Sequence, residues 1–371
     1  MRELFGGVYN NRSVLVTGHT GFKGSWLSAW LYLLGARVTG YALPPDQEPS
    51  LFEHCELSKR IVHVEGDIGD LDRLASVVEE ARPELVFHLA AQPLVRRAYR
   101  EPLETFSTNI MGTAHVMECI RNAGSMQGAV LVSSDKCYEN REWHYAYREN
   151  DALGGWDPYS ASKGAAEIVI AAYRRSFLAR DGAPIVASAR AGNVIGGGDW
   201  SEDRIIPDCA RALAAKRPVS VRHPTAVRPW QHVLEALAGY LALGSEILRN
   251  NRAAGGAWNF GPHAEDAETV ASVVDAFLQR WGDGEWVDDA SGDGAQVHEA
   301  ATLRLDCTQA HCRLRWRPVY GLADAVSETA DWYRGFYLGD SFNALDFTCE
   351  QIARYVERAK AMNISWASGD E

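Results

Sequence analysis

Positive charge is scarce in this 371-residue chain. Its 37 lysines and arginines face 49 aspartates and glutamates, a formal net charge of -12. A surface of that sign repels phosphate backbones, which argues against nucleic acid as a partner and leaves room for a small anion in a locally basic pocket. Long apolar runs are missing as well. The most apolar stretch, residues 26–34 (WLSAWLYLL), is too short to span a bilayer and is followed by Gly35 and Arg37. Its Trp26, Trp30, Leu33 and Leu34 share one helical face, so it reads as a buried amphipathic helix. Residues 1–11 show no basic segment followed by an apolar core, hence no signal peptide. The expectation is a cytoplasmic protein with no membrane attachment. The seven cysteines are odd in number and contain no C-x-x-C pair, which predicts reduced, structural thiols. No His/Asp/Glu group has metal-ligand spacing, so no metal is expected. No G-x-S-x-G elbow is present, and hydrolase chemistry has no support.

What is present is a repeating alternation. Residues 13–17 (SVLVT), 37–43, 61–65, 85–89, 129–133 and 185–189 are short β-branched apolar runs, and helical patterns stand between several of them, as at 71–81. Such alternation predicts right-handed βαβ units and a parallel sheet covered on both faces. After Arg190 the texture changes to loops rich in Gly, Pro and Trp, with helical patterns at 232–249, 267–280 and 322–332. The predicted fold class is α/β, a Rossmann-type doubly wound parallel sheet with a smaller α/β substrate-binding lobe. Residues 1–190, with a segment returning at about 231–260, form the dinucleotide-binding part. Residues 191–230 and 261–340 form the lobe. Residues 341–371 form a helical tail, helical over 346–362 and frayed at its end.

Gly18-His19-Thr20-Gly21-Phe22-Lys23-Gly24 follows the first strand and opens the first helix. Glycines three apart permit a tight turn, admit a pyrophosphate against the backbone and let the helix pack closely, while the helix start offers free N–H groups and partial positive charge. That placement predicts dinucleotide binding. Lys23 would add a phosphate contact or be a solvated helix-start lysine. Asp67, with Ile68 after the third strand, would accept from an adenine amino group or serve as a turn aspartate. Leu89, Ala90, Ala91 and Gln92 close the fourth strand, and the small alanines would let a cofactor lie on the backbone. Ser133 ends the fifth strand at the same edge. The acidic residue that normally binds the adenosine ribose of NAD is missing: the second strand ends Tyr41-Ala42-Leu43-Pro44-Pro45, with neither a carboxylate nor an arginine for an NADP phosphate. Asp46 or Glu48 could reach that place, and NAD is the expected cofactor.

Tyr159 and Lys163 lie four apart in Tyr159-Ser160-Ala161-Ser162-Lys163 at the start of a helix predicted to run to about Phe177. They share one face, and an ammonium beside a phenol favours phenolate. Such a tyrosine can remove a hydroxyl proton while hydride leaves the same carbon.

The strings T-G-x-x-G-x-x-G, H-L-A-A-Q, S-S-D-K and Y-S-A-S-K, in this order, resemble the extended short-chain dehydrogenase/reductases, over almost the whole chain. The resemblance implies nucleotide-sugar substrates, a homodimer, and Ser134, Tyr159 and Lys163 as the catalytic group. It makes Asn109 an asparagine that orders the lysine or the cofactor. Ser134-Asp135-Lys136-Cys137-Tyr138-Glu139-Asn140, Gly18 to Trp26, and Gly154-Gly155-Trp156-Asp157-Pro158-Tyr159 are similar to the 4,6-dehydratase branch that acts on a cytidine-linked hexose. There Asp135 would protonate the departing C6 hydroxyl. Lys136 stands where related dehydratases carry a glutamate, and would act as the C5 base or steady an enolate charge; without those neighbours the pair would read as an exposed turn. In the lobe the resemblance assigns Asn193 to the substrate phosphates, Arg204 to the start of a helix over the nucleotide, Arg228 to the diphosphate, and Asn259 to the substrate site. For Arg228 a surface arginine before a helix is the alternative. Trp200 or Trp230 would stack on a pyrimidine or belong to the core. Rival readings are an epimerase or reductase on the same fold, a dehydratase taking another nucleotide such as GDP-mannose, and a non-catalytic nucleotide-sugar-binding protein.

Overall fold

A computed structural model describes residues 1–263, 266–289 and 302–368. Parts of the expected lobe (264–265 and 290–301) and the end of the tail (369–371) lie outside the described residues. A seven-stranded parallel sheet organises the rest: β1 (Ser13–Thr17), β2 (Arg37–Ala42), β3 (Val62–Glu65), β4 (Leu85–His88), β5 (Gly128–Val132), β6 (Ile185–Arg190) and β7 (Gly256–Asn259). Their spatial order is β7-β6-β5-β4-β1-β2-β3, every neighbouring pair parallel. The chain starts at the centre, winds outward one way to β3, and returns to build the other half from β4. The crevice at that reversal, above the carboxyl ends of β1 and β4, is where such sheets bind ligands.

Both faces of the sheet are buried. Val14 and Val16 of β1, Leu85 and Phe87 of β4, and Ala187 of β6 enter one core layer, while Leu15, Val86 and Val186 enter the opposite one. The period-2 alternation of side chains therefore produces runs that are apolar throughout, the property that made these strands legible.

The helices that matter for the site are α1 (Phe22–Leu33), α2 (Leu71–Ala81), α3 (Val95–Arg100), α4 (Gly112–Asn122), α5 (Pro158–Ser176), α6 (Ile205–Ala214), α7 (Val233–Leu248), α8 (Val270–Trp281), α9 (Leu322–Leu338) and α10 (Ala344–Ala361). Asp70 caps α2 by accepting from the Arg73 amide, and Asp157 caps α5 by accepting from the Ser160 amide, with Pro158 pre-set for the first turn.

Four expectations need correction. The first helix is not an amphipathic stripe: every residue from Gly24 to Leu31 is buried, because α1 is enclosed between the sheet and α10. Residues 267–269 are a strand paired with 227–229, and α8 begins only at Val270. The helix expected at 322–332 continues to Leu338. The tail is not frayed up to residue 368: Ser365–Ser368 is a helical turn, and Trp366 is buried against Phe5, Trp30 and Tyr355.

Candidate active site

Above the carboxyl ends of β1, β4 and β5 lie two cavities of about 590 Å³ and 350 Å³. The larger is floored by the loop from Gly18 to Gly24, by Leu89 to Gln92, and by Asp67 and Ile68. Two of its glycines are required by close backbone packing. Gly18 has φ +74, and a Cβ there would come within 2.6 Å of the Ala90 amide nitrogen; a Cβ on Gly24 would come within 2.1 Å of the Gly18 carbonyl oxygen. The resulting smooth cradle at the start of α1 fits a dinucleotide pyrophosphate. At the far end Asp46 lines the cavity, and Glu48 does not. Asp67 lines it too, but its Oδ1 accepts from the Gly69 amide at 2.7 Å, holding the turn.

The smaller cavity lies under α6 and the loop from Gly192 to Gly196. Asp135, Lys136, Asn193, Arg204, Arg228 and Trp230 line it. Arg204 donates to Asp199 Oδ2 at 2.8 Å, and Arg228 donates to the Val227 carbonyl at 3.0 Å. Sequence reasoning overlooked the contribution of α3, whose Arg96, Arg97 and Arg100 also line it. Their only sequence signal was a cluster of basic residues just after the fourth strand.

The cavities meet at a wall formed by Ser134, Tyr159, Ala191, Lys23 and Arg204, each of which lines both. Lys163 and Ser133 line only the larger cavity, and Asp135 and Lys136 only the smaller. Ser134 follows β5 in extended conformation, and its hydroxyl donates to Asp135 Oδ1 at 2.9 Å. That oxygen also accepts from the Lys136 amide at 2.9 Å, while Oδ2 accepts from Asn193 Nδ2 at 3.4 Å. The Asp135 carboxyl lies flat against Gly192, where any Cβ would come within 2.1 Å of it. Asn193 is held at φ +50.

Burial pushes the Tyr159 phenol up to about 12, against the pull of the Ser134 hydroxyl. Burial also lowers Lys163 to about 8, with Glu167 opposing the change. Lys163 is not among the larger influences on the phenol. No hydrogen bond joins the two among the described residues, and the charges that act most on Tyr159 are Asp135 and Arg204.

Three expected site residues stand elsewhere. The His19 side chain turns inward, pairs with His63 at 2.7 Å and packs edge-on to Phe52, with burial driving its pKa down to about 3. Asn109 lines neither cavity: its amide bridges the Gln92 backbone and the Ser162 hydroxyl at 2.8 Å, fixing α5 to the end of β4. Asn259 is fully buried behind the site. It accepts from Tyr138 and donates to the Tyr147 and Asp306 carbonyls. Trp200 sits in an aromatic core with Trp332, Tyr333 and Phe336, although its edge reaches the larger cavity.

A parallel sheet reversing at β1 and β4, a glycine cradle, and a serine and tyrosine at the shared wall with a lysine on its cradle side are the features of an NAD-dependent epimerase/dehydratase fold. Residues 15–329 match the family model of GDP-mannose 4,6 dehydratase, and the chain belongs to that family. It is 46% identical over 338 residues to the CDP-glucose 4,6-dehydratase of Salmonella typhimurium, covering 90% of this chain and 93% of that protein. Among solved structures it is similar to a UDP-glucose 4-epimerase of Stenotrophomonas maltophila with bound NAD and formylated UDP-arabinopyranose (TM-score 0.76, 24% identity, 88% of this chain and 99% of that one). It is also similar to a dTDP-glucose 4,6-dehydratase of Bacillus anthracis in complex with NAD (TM-score 0.71, 20% identity, 87% and 96%). At those identities the two structures speak for the fold.

Proposed function

We propose that this protein is an NAD-dependent CDP-glucose 4,6-dehydratase, converting CDP-glucose to CDP-4-keto-6-deoxyglucose. The observation that carries the reading is the division of labour at the shared wall. The tyrosine and serine face both cavities, the lysine faces the cradle, and the extra acid faces only the opposite side. An epimerase needs the first three alone; the expulsion of a hydroxyl calls for the fourth. The 46% identity to the Salmonella enzyme supports cytidine and glucose as the substrate's two halves.

Gly18, Thr20, Gly21, Phe22 and Gly24 would hold the pyrophosphate, and Ala90, Ala91 and Gln92 the adjoining face. When bound, the nicotinamide would take hydride from the sugar C4 and give it back at C6. Tyr159 removes the C4 hydroxyl proton, with Ser134 donating to the same oxygen. The ketone formed at C4 acidifies the C5 proton. Lys136, or another base beside which Lys136 steadies the enolate, removes it, while Asp135, as the acid, delivers its proton to the C6 oxygen as the C–O bond breaks and water leaves; the base would return the proton to C5 when hydride is given back at C6. Asn193 and Arg228 would bind the diphosphate, an oxyanion suited to a guanidinium fork. For Tyr159 to act as base, its phenol must fall from about 12, which a positive charge brought beside it by the bound ligands would do.

We also read the chain as a cytoplasmic homodimer. The described residues contain no helix long and apolar enough to cross a membrane. Leu103, Met111 and Ile168 are exposed apolar side chains on adjoining helical segments, a face that a second copy would cover. Sedimentation at several protein concentrations tests this, and a monomer throughout would refute it. The function is tested by incubating the protein with NAD and CDP-, dTDP-, GDP- or UDP-hexoses and assaying for the 4-keto-6-deoxy product. Turnover of CDP-glucose is expected. Turnover of GDP-mannose in its place, or C4 inversion without loss of water, would overturn the reading.

A further inference from the structure

The wall between the two cavities carries a second lysine. Lys23 stands in the first turn of α1, where side chains tilt back toward the helix start and thus toward the pyrophosphate cradle. It lines both cavities. Its charged neighbours are Arg204, Asp135, Lys163 and Asp199. Neither acid is available to it. Asp199 is bound by Arg204 at 2.8 Å and by the Ser201 amide at 3.0 Å. Asp135 already accepts from Ser134, the Lys136 amide and Asn193. Lys23 itself makes no hydrogen bond or ion pair among the described residues. A half-buried ammonium near two further cations, with both nearby carboxylates engaged, leaves a donor that an anionic ligand in either cavity can meet.

We propose that Lys23 is a second active-site lysine whose side chain binds a phosphate oxygen of the dinucleotide, at the point where the cofactor and substrate cavities join. The inference rests on the dinucleotide reading of the larger cavity. It goes further by assigning to a side chain part of an affinity that the glycine loop supplies through backbone N–H groups. Burial, reinforced by Arg204, lowers this lysine to about 8. A bound phosphate would favour the charged form, so cofactor affinity should weaken as pH rises through that region.

The test is the dissociation constant of NAD for the full-length protein, and separately that of CDP-glucose, for the wild type, Lys23→Met and Lys23→Arg from pH 6 to 10. A charge-assisted hydrogen bond to phosphate predicts that Lys23→Met weakens NAD by about 10- to 100-fold at neutral pH and flattens the alkaline loss of affinity. Lys23→Arg, which stays charged, should keep most of the affinity and also flatten the loss. The alkaline dependence that persists in both variants reports Lys163. CDP-glucose binding should change by less than about threefold, since Asn193 and Arg228, which would bind its diphosphate, are unaffected. If Lys23→Met binds NAD as tightly as wild type, or weakens CDP-glucose and not NAD, the proposal is overturned. If the wild type itself binds no NAD, the cofactor reading fails first. Thermal unfolding of each variant separates a binding loss from a folding loss.

Discussion

Two clusters of the same residue types lie back to back along α5, and they differ in how completely they are paired. On the wall side stand Ser134, Asp135, Tyr159 and Lys163, facing open volume. One turn further along the helix stands Glu167, whose Oε2 accepts from Arg190 and from Ser188, each at 2.8 Å. Arg190 in turn reaches the Tyr138 hydroxyl at 2.7 Å and the Glu149 carbonyl at 3.0 Å, and Tyr138 reaches Asn259. Burial pushes the Glu167 carboxyl up, but the Arg190 guanidinium more than offsets it and holds the group below its usual range. The second cluster pairs most of its groups within the protein, leaving only Glu167 Oε1 and Arg190 Nε without a partner among the described residues, and it lines neither cavity, so its role is structural. The first has cations and a phenol whose partners are still to arrive, the condition a site needs for chemistry.

That contrast can be broken in order of severity. Tyr159→Phe should lower kcat by about a thousandfold or more while leaving the urea midpoint unchanged, because it removes only a proton-transfer group. Rapid turnover by this variant would end the role of the wall. Glu167→Ala should do the reverse, destabilising the fold by about 3–5 kcal/mol by leaving Arg190 charged, buried and unpaired; urea unfolding reads this directly. Asp135→Asn should permit C4 oxidation but slow elimination by about a hundredfold, so reduced nicotinamide accumulates in single-turnover absorbance traces. A variant that makes product at the wild-type rate would remove Asp135 from the mechanism.

The smallest expected effect comes from a third buried acid, which tests whether perturbation alone marks chemistry. Glu235 of α7, which lines neither cavity, accepts from the Val319 and Tyr320 amides and from the Tyr355 hydroxyl, and burial raises it to about 7. Its folded pKa lies above its unfolded value. Its protonated form therefore adds stability below about pH 4.5, and that contribution is lost as pH rises to about 7, on the order of 3 kcal/mol at most. Urea unfolding at pH 5 and pH 7 should show this slope, and Glu235→Gln should flatten it without altering the pH profile of turnover.

Local patterns carried the sheet and the cradle. A parallel strand is apolar on both faces and a phosphate turn needs its glycines, so both leave contiguous signals, as in residues 13–24. The same logic misjudged residues 26–34, where regular spacing of tryptophans suggested one buried face although the tail buries the other. The groups at and beside the wall, Ser134, Asp135, Tyr159 and Lys163, were legible because they sit in short strings. The lobe was less so. Asn259 lies in strand β7 with its amide turned toward Tyr138 and the 306 carbonyl, and no neighbouring residue signals that direction. Arg96 enters the smaller cavity only because α3 crosses its mouth. His19 stands inside the glycine motif, yet its ring packs on His63, because the backbone and not the side chain faces the cradle.

Trp366 stacks on Phe5 at 5.0 Å between ring centroids, so the turn at Leu4–Gly7 is seated on the helical turn at Ser365–Ser368. Two segments from opposite ends of the sequence thus share one aromatic contact, and Trp366→Ala would leave a socket lined by Phe5, Trp30 and Tyr355.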